Sequence, residues 1–271
     1  MVHLSFDRKP EGLYDPIRYV LSLGGKRIRP VLMLMSYNLY KKDIEACLPA
    51  ALGLEVYHNF TLLHDDLMDR AEVRRGKPCV HKKWNDNTAI LSGDSMLVLA
   101  FQLMQQCAPA VLAQVLSTFT EAALEIDEGQ QMDMDFEARL DVTEDEYIEM
   151  IRLKTSVLLA CATSLGALQA GAKESDVETL YSFGEKLGLS FQLQDDLLDV
   201  YGDFATFGKR IGGDILENKK TFLLINALQM ANDEQRAELL RWLETSPTTP
   251  DGEQEKIKAV TRLYDAIGVR S

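Results

Sequence analysis

Two copies of one acidic pattern constrain this chain more than any other feature. Residues 63–69 read LHDDLMD and residues 193–199 read LQDDLLD. Both copies lie in apolar stretches, FTLLHDDLMD and LSFQLQDDLLDV, where carboxylates are costly to bury without compensation. On a helix, Asp65 and Asp69 are i and i+4 and project from one face, as do Asp195 and Asp199. Two carboxylates one turn apart repel each other unless a cation sits between them. Oxygen-only ligands suit Mg²⁺ or Mn²⁺, and Mg²⁺ keeps waters and shares substrate phosphates. Two such helices facing each other would enclose a cavity for several ions. An exposed acidic turn accounts well enough for one copy and poorly for two.

The rest of the chain has room for helices and little else. Its 271 residues include 17 glycines and 8 prolines. Apolar residues recur at three and four rather than at two. This periodicity predicts helices over 11–22, 29–40, 44–68, 88–106, 109–137, 143–170, 174–203, 217–231, 233–245 and 251–266. TEDE (143–146) reads as a capping box with Thr143 at the cap and Glu146 three residues on. SPTTPDGE (246–253) reads as a loop. No linker-like stretch divides the chain, so residues 1–271 are expected to form one all-α domain. A content of 46% hydrophobic and 26% charged residues suits a sizeable core. Met33, Met35, Met96 and Met104 fit a core stripe.

Several function classes are set aside on the same grounds. No apolar run approaches the length of a membrane span, and MVHLSFDRKP lacks the apolar region of a signal peptide. Cys47, Cys79, Cys107 and Cys161 fit no zinc or disulfide framework and read as reduced core thiols of a cytoplasmic protein. A net charge of −13 argues against a nucleic-acid partner. Residues 121–149 carry twelve acidic side chains and one arginine, read mostly as a solvated face and loop. No Walker or Rossmann glycine fingerprint is present. An anionic ligand must therefore be held by local clusters of base or by metal.

Two such clusters exist. LGGKRIRP (23–30) sets Lys26, Arg27 and Arg29 at a helix start after two glycines, and EVRRGKPCVHKKW (72–84) follows the first acidic motif directly. Either alone is as well explained by a solvated patch. Beside paired carboxylates, they favour a ligand with two phosphates, which arginine can bind bidentately.

With these features together, the sequence resembles the trans-isoprenyl diphosphate synthases, the polyprenyl synthetase family. The resemblance covers roughly residues 11–230. It rests on GGKRIRP (24–30), HNFTLLHDDLMD (58–69), RRGKP (74–78), LSGD (91–94), GQQMD (129–133), KT (154–155), FQLQDDLLD (191–199), FGKRIGGDI (207–215) and Lys219. It implies the isoprenoid synthase fold, a helical bundle around a deep central cavity, in a homodimer. It also implies a head-to-tail prenyltransferase joining isopentenyl diphosphate to dimethylallyl, geranyl or farnesyl diphosphate, with about three Mg²⁺ ions. By this resemblance Asp65, Asp69 and Asp195 bind metal directly, supported by Asp66, Asp196 and Asp199. Arg74, Lys154 and Lys209 hold the allylic diphosphate, with Lys219 nearby. Lys26, Arg29, His58 and Arg75 hold isopentenyl diphosphate. Thr155 and Gln192 face the allylic cation, Gln130 and Asp133 lie near the metals, and His64 is structural.

Product length is read from the residues before the first motif. Phe60 lies five positions before Asp65, about 7.5 Å along a helix, and its ring resembles the floor of the short-chain synthases. Thr61 beside it is small, unlike the aromatic pair of animal-type farnesyl synthases, and the motif is the plain DDxxD without the insertion of bacterial ones, so the resemblance implies C15–C20 products, with C20 ahead. Both ends look shortened against the family pattern. The alternatives are a longer-chain synthase, a class I terpene cyclase, a di-iron bundle built on Glu55 and His58, and a non-catalytic synthase subunit. The second DDxxD opposes the cyclase. The lack of a second ExxH opposes di-iron, and six intact aspartates oppose the inactive subunit.

Overall fold

The computed structural model describes residues 7–202 and 211–270. They form two compact units, one of residues 1–122 with 158–184 and one of 123–157 with 185–271. The divisions fall inside long helices, so several elements contribute a part to each unit.

The first unit contains α1 (Glu11–Ser22), α2 (Ile28–Asn38), α3 (Leu48–Met68), a hairpin of β1 (Val73–Arg74) and β2 (Lys77–Pro78), α4 (Val80–Lys83) and α5 (Asp86–Met104). The N-terminal part of α6 (Leu112–Glu137) and most of α8 (Val157–Gln169) also belong to it, as does the start of α9 (Glu174–Tyr201). Its centre is α3 packed along α5. Leu54, Tyr57, Met96, Met104 and Phe119 are almost wholly buried there. Met33 joins this core, but Met35 is 61% exposed. That corrects the expected methionine stripe, because residues two apart on a helix point about 200° apart. The hairpin falls between predicted helices, in a stretch that the periodicity assigns to no element. It is the one sheet among the described residues, and its Arg75–Gly76 turn has φ of 52° and 73°, the left-handed pair that matches strand twist.

The second unit contains the end of α6, α7 (Glu144–Ile151), the end of α9, α10 (Gly213–Leu216), α11 (Phe222–Met230), α12 (Asp233–Leu243) and α13 (Pro250–Ile267). Val200, Ile215, Leu224, Leu239, Val260 and Tyr264 form one core cluster. Phe136, Tyr147, Met150 and Ile225 belong to a second. The capping box at Thr143 and Glu146 is present. Three expectations need correction here. The helix read over 143–170 carries a π turn at Arg152–Ser156. The helix read over 217–231 is broken, because Asn218 is left-handed at φ 56° and Thr221 caps a new helix by accepting from the Leu224 N–H. The loop read over 246–253 is shorter, because Pro250 opens α13, the first helical turn being where its missing N–H costs nothing.

The segment Glu144–Gln169 is apolar and long enough to cross a membrane by composition, yet 78% of its most apolar window is buried inside the protein. It is a core helix. The four cysteines are buried free thiols.

Candidate active site

The first acidic motif occupies the last turn of α3. The Asp69 N–H donates to the Asp65 carbonyl at 2.9 Å, so the two carboxylates are one turn apart. Asp65 is half-buried and Asp69 exposed. Asp66 is buried; Arg74 Nε donates to its Oδ1 at 2.7 Å, and Arg74 Nη2 forms an ion pair with the same oxygen at 2.7 Å. Burial pushes the Asp66 carboxyl upward against the pull of Arg74. Arg74 Nη2 also lies 3.8 Å from Asp65 Oδ2. The hairpin thus delivers Arg74 to the motif, which the sequence alone did not reveal.

Beside it, still in the first unit, basic side chains gather at the start of α2. Arg29 Nη1 donates to His58 Nε2 at 3.1 Å. Burial, then Arg29, Arg75, Arg74 and Arg27, drives the His58 pKa well below its ordinary value, so the ring is neutral and its other nitrogen carries the proton. Burial lowers the Arg29 pKa to about 10 in spite of Glu55. Arg75 donates to the Gly24 carbonyl, and a Cβ on Gly25 would lie 2.9 Å from its guanidinium carbon. Lys26 is exposed. Arg27 is different in kind. It pairs with buried Glu55 and donates to the Leu21 carbonyl at 3.0 Å. Glu55 also accepts from Asn59 Nδ2 at 2.8 Å, so the Glu55–His58 pair is engaged by Arg27 and Arg29. In the KK of 82–83, Lys82 lies 3.4 Å from Glu72 and Lys83 sits 3.8 Å over the Tyr19 ring.

Phe60 is half-buried on α3. Its ring meets His64 at 4.8 Å and Tyr57 at 5.5 Å. His64 Nε2 lies 3.2 Å from the Ile90 carbonyl, and a Cβ on Gly93 would collide with its imidazole.

In the second unit, the other acidic motif lies in the last two turns of α9. Asp195 is half-buried, while Asp196 and Asp199 are buried. Asp196 accepts from Tyr147 Oη, from Gln192 Nε2 at 3.1 Å and from the Phe222 N–H at 3.4 Å. Burial pushes its carboxyl upward despite these donors. Asp199 Oδ2 accepts from the Asp214 N–H at 3.1 Å. The π turn carries Lys154, whose Nζ meets Asp133 Oδ2 at 2.6 Å, and Thr155, which donates to Gln192 Oε1 at 3.3 Å. Lys219 Nζ stands 4.0 Å from Asp214 Oδ1. Burial opposes its charge, but Asp214, Asp133, Asp196 and Glu217 outweigh it and hold the ammonium above its ordinary range. Gln130 is half-buried on α6. Lys209 lies outside the described residues. Tyr147 was not singled out from sequence, since nothing local marks a tyrosine 49 positions from its aspartate.

These charges sit at the wrong helix ends for stability. A helix C-terminus carries a negative partial charge and an N-terminus a positive one. Both acidic motifs end their helices, and neither helix has a basic residue in its last turn. Conversely, Arg27 and Arg29 stand at the N-terminus of α2, which has no acidic residue in its first turn. The first arrangement calls for cations and the second for an anion. Oxygen-only donors at the acidic ends fit a hard divalent ion. Among the described residues no group of three acidic, histidine or cysteine side chains would hold a metal by itself, so ligand oxygens would complete its shell.

The chain is similar to known proteins over most of its length. The family model described as Polyprenyl synthetase matches residues 10–263. The geranylgeranyl diphosphate synthase of Methanosarcina mazei is 42% identical over 82% of this chain and 69% of its own length. A crystal structure of a geranylgeranyl pyrophosphate synthase superposes with a TM-score of 0.92 at 48% identity, covering 96% of this chain and 80% of that one. The geranylgeranyl pyrophosphate synthase of Corynebacterium glutamicum, crystallised with isoprenyl diphosphate and magnesium, gives 0.84 at 31% identity over 94% and 78%.

Proposed function

Because the chain belongs to the polyprenyl synthetase family, we propose that it is a trans-prenyltransferase joining isopentenyl diphosphate to an allylic diphosphate. Its products are C15–C20 prenyl diphosphates, with C20 ahead. The observation that carries this reading is the pairing of misplaced charges: carboxylates at two helix C-termini and arginines at a helix N-terminus.

Asp65, Asp69 and Asp195 are the direct metal ligands, for about three Mg²⁺ ions, with Mn²⁺ also suited to the oxygen donors. When bound, the metal supplies Lewis acidity that stabilises the departing pyrophosphate. Asp66, Asp196 and Asp199 hold the motifs through Arg74, Tyr147 and the Asp214 N–H. Arg74, Lys154, Lys209 and Lys219 bind the allylic diphosphate. Lys26, Arg29, His58 and Arg75 bind isopentenyl diphosphate, with neutral His58 oriented by Arg29. The allylic C–O bond breaks and its electron pair leaves with pyrophosphate. The Thr155 and Gln192 oxygens face the resulting allylic cation. The double bond of isopentenyl diphosphate attacks that cation, and the proton then lost passes to the released pyrophosphate, so no side-chain base is required. Phe60 limits the length of the product. Residues 1–271 work as one domain, in a cytoplasmic homodimer.

The test is incubation with radiolabelled isopentenyl diphosphate, Mg²⁺ and each of dimethylallyl, geranyl and farnesyl diphosphate in turn. Products ending at C15–C20 support the reading. No incorporation, or elongation well beyond C20, refutes it.

A further inference from the structure

Lys256, on α13, is only 1% exposed. Its Nζ donates to Asn218 Oδ1 at 2.7 Å and to the Thr245 carbonyl at 2.9 Å, both neutral acceptors. Burial lowers its pKa. An ammonium so placed costs stability, and its position shows what it holds. Asn218 is left-handed, and its Nδ2 donates to the Leu243 carbonyl at 3.0 Å. Its own carbonyl accepts from Lys220 Nζ at 3.2 Å. Next in the chain, the Lys219 N–H donates to the Asp214 carbonyl at 3.0 Å, and the Asp214 N–H donates to Asp199. At the other end of this strap the Gly212 N–H donates to the Asp199 carbonyl at 2.7 Å. A Cβ on Gly212 would lie 2.7 Å from Ile257 Cδ1, the residue after Lys256. The strap is therefore pinned to the second acidic motif on one side and to α13 on the other.

We propose that Lys256 is a positioning residue for the allylic diphosphate. It fixes Asn218, and through Asn218 the ammonium of Lys219 and the Asp214 N–H on Asp199. The proposal rests on the assignment of Lys219 and the second acidic motif to that substrate. Lys256→Met keeps the side-chain length and removes the donor. Asn218→Gly keeps the left-handed backbone and removes the acceptor.

Steady-state kinetics of the wild type, both variants and the double variant test it, with melting temperatures alongside. Each single change is expected to raise KM for geranyl diphosphate about tenfold, the size of one lost charge-assisted hydrogen bond. KM for isopentenyl diphosphate should stay within about twofold, and the double variant should be no worse than the worse single one. Equal rises in both KM values, an unchanged allylic KM, or multiplying effects in the double variant overturn the proposal. If Lys256→Met fails to fold, the selective rise in Asn218→Gly decides. A wild type that transfers no prenyl group overturns the functional reading as well. An active wild type with unselective variants overturns this proposal alone.

Discussion

Gly129→Ala isolates the contribution of the π turn. Gly129 lies inside α6, and a Cβ there would come 2.8 Å from Leu153 Cβ and 2.9 Å from the Leu153 carbonyl carbon, and closer still to the Lys154 nitrogen. Ordinary contact begins at 3.4 Å, so the turn must retreat by about 1 Å at the Lys154 nitrogen. Two of the obstructing atoms are backbone and cannot rotate away. Alanine favours the helix by about 1 kcal/mol over glycine, while such overpacking costs about 1–3 kcal/mol. The net loss of stability is therefore at most about 2 kcal/mol. The retreat moves Lys154 away from Asp133 and Thr155 from Gln192. Misplacement by about 1 Å can cost about a hundredfold in rate, so kcat should fall about ten- to hundredfold in a folded protein. The assay is incorporation of labelled isopentenyl diphosphate, with melting temperature measured in parallel. A folded Gly129→Ala protein with kcat within about twofold of wild type would show that the position of the π turn does not govern turnover.

Other perturbations follow the same geometry. Arg29→Ala and His58→Ala should chiefly raise KM for isopentenyl diphosphate and Lys209→Ala that for the allylic substrate, each by about 1.5–3 kcal/mol; titrations with the reverse pattern would reassign the basic residues. Phe60→Ala removes a ring packed on Tyr57 and His64 and should lengthen products by at least one isoprene unit, at a stability cost of up to about 3–5 kcal/mol. An unchanged product length in a folded variant would move the limit elsewhere, for example to Met96 or Phe101. Arg139, then the Thr143 N–H, hold the Glu146 pKa down at about 2 against an ordinary 4.5. That depressed value contributes stability above about pH 4.5 that is lost as pH falls toward about 2. Glu146→Gln should therefore lower the melting temperature near neutrality and flatten its decline across that window. An identical acid profile would show that the pair contributes nothing.

Local rules made most of the fold legible. Apolar spacing marked the helices, and Thr143 with Glu146 marked a start that the structure shows as a reciprocal cap. The failures have a common physical origin. A π turn at Arg152–Ser156, which α6 approaches closely at Gly129, leaves no mark in a periodicity of three and four. The left-handed Asn218 is held by Lys256 and Leu243, distant in sequence. For the candidate site, spacing and charge were enough to single out the aspartates and the two basic clusters. They could not separate arginines with different partners. Arg27 and Arg29 look alike in GGKRIRP, yet Arg27 is tied to Glu55 while Arg29 meets His58. Tyr147 was missed because its significance lies wholly in a long-range bond to Asp196.

The proposed mechanism requires the carboxylates at the ends of α3 and α9 to hold divalent metal for prenyl transfer. The most direct measurement is the rate of transfer to geranyl diphosphate in Mg²⁺ by wild type, Asp65→Ala and Asp195→Ala, each also in excess EDTA and each verified as folded by circular dichroism. The account predicts turnover in the wild type alone and its loss in EDTA. Full activity in either folded variant, or in the chelated wild type, would contradict it.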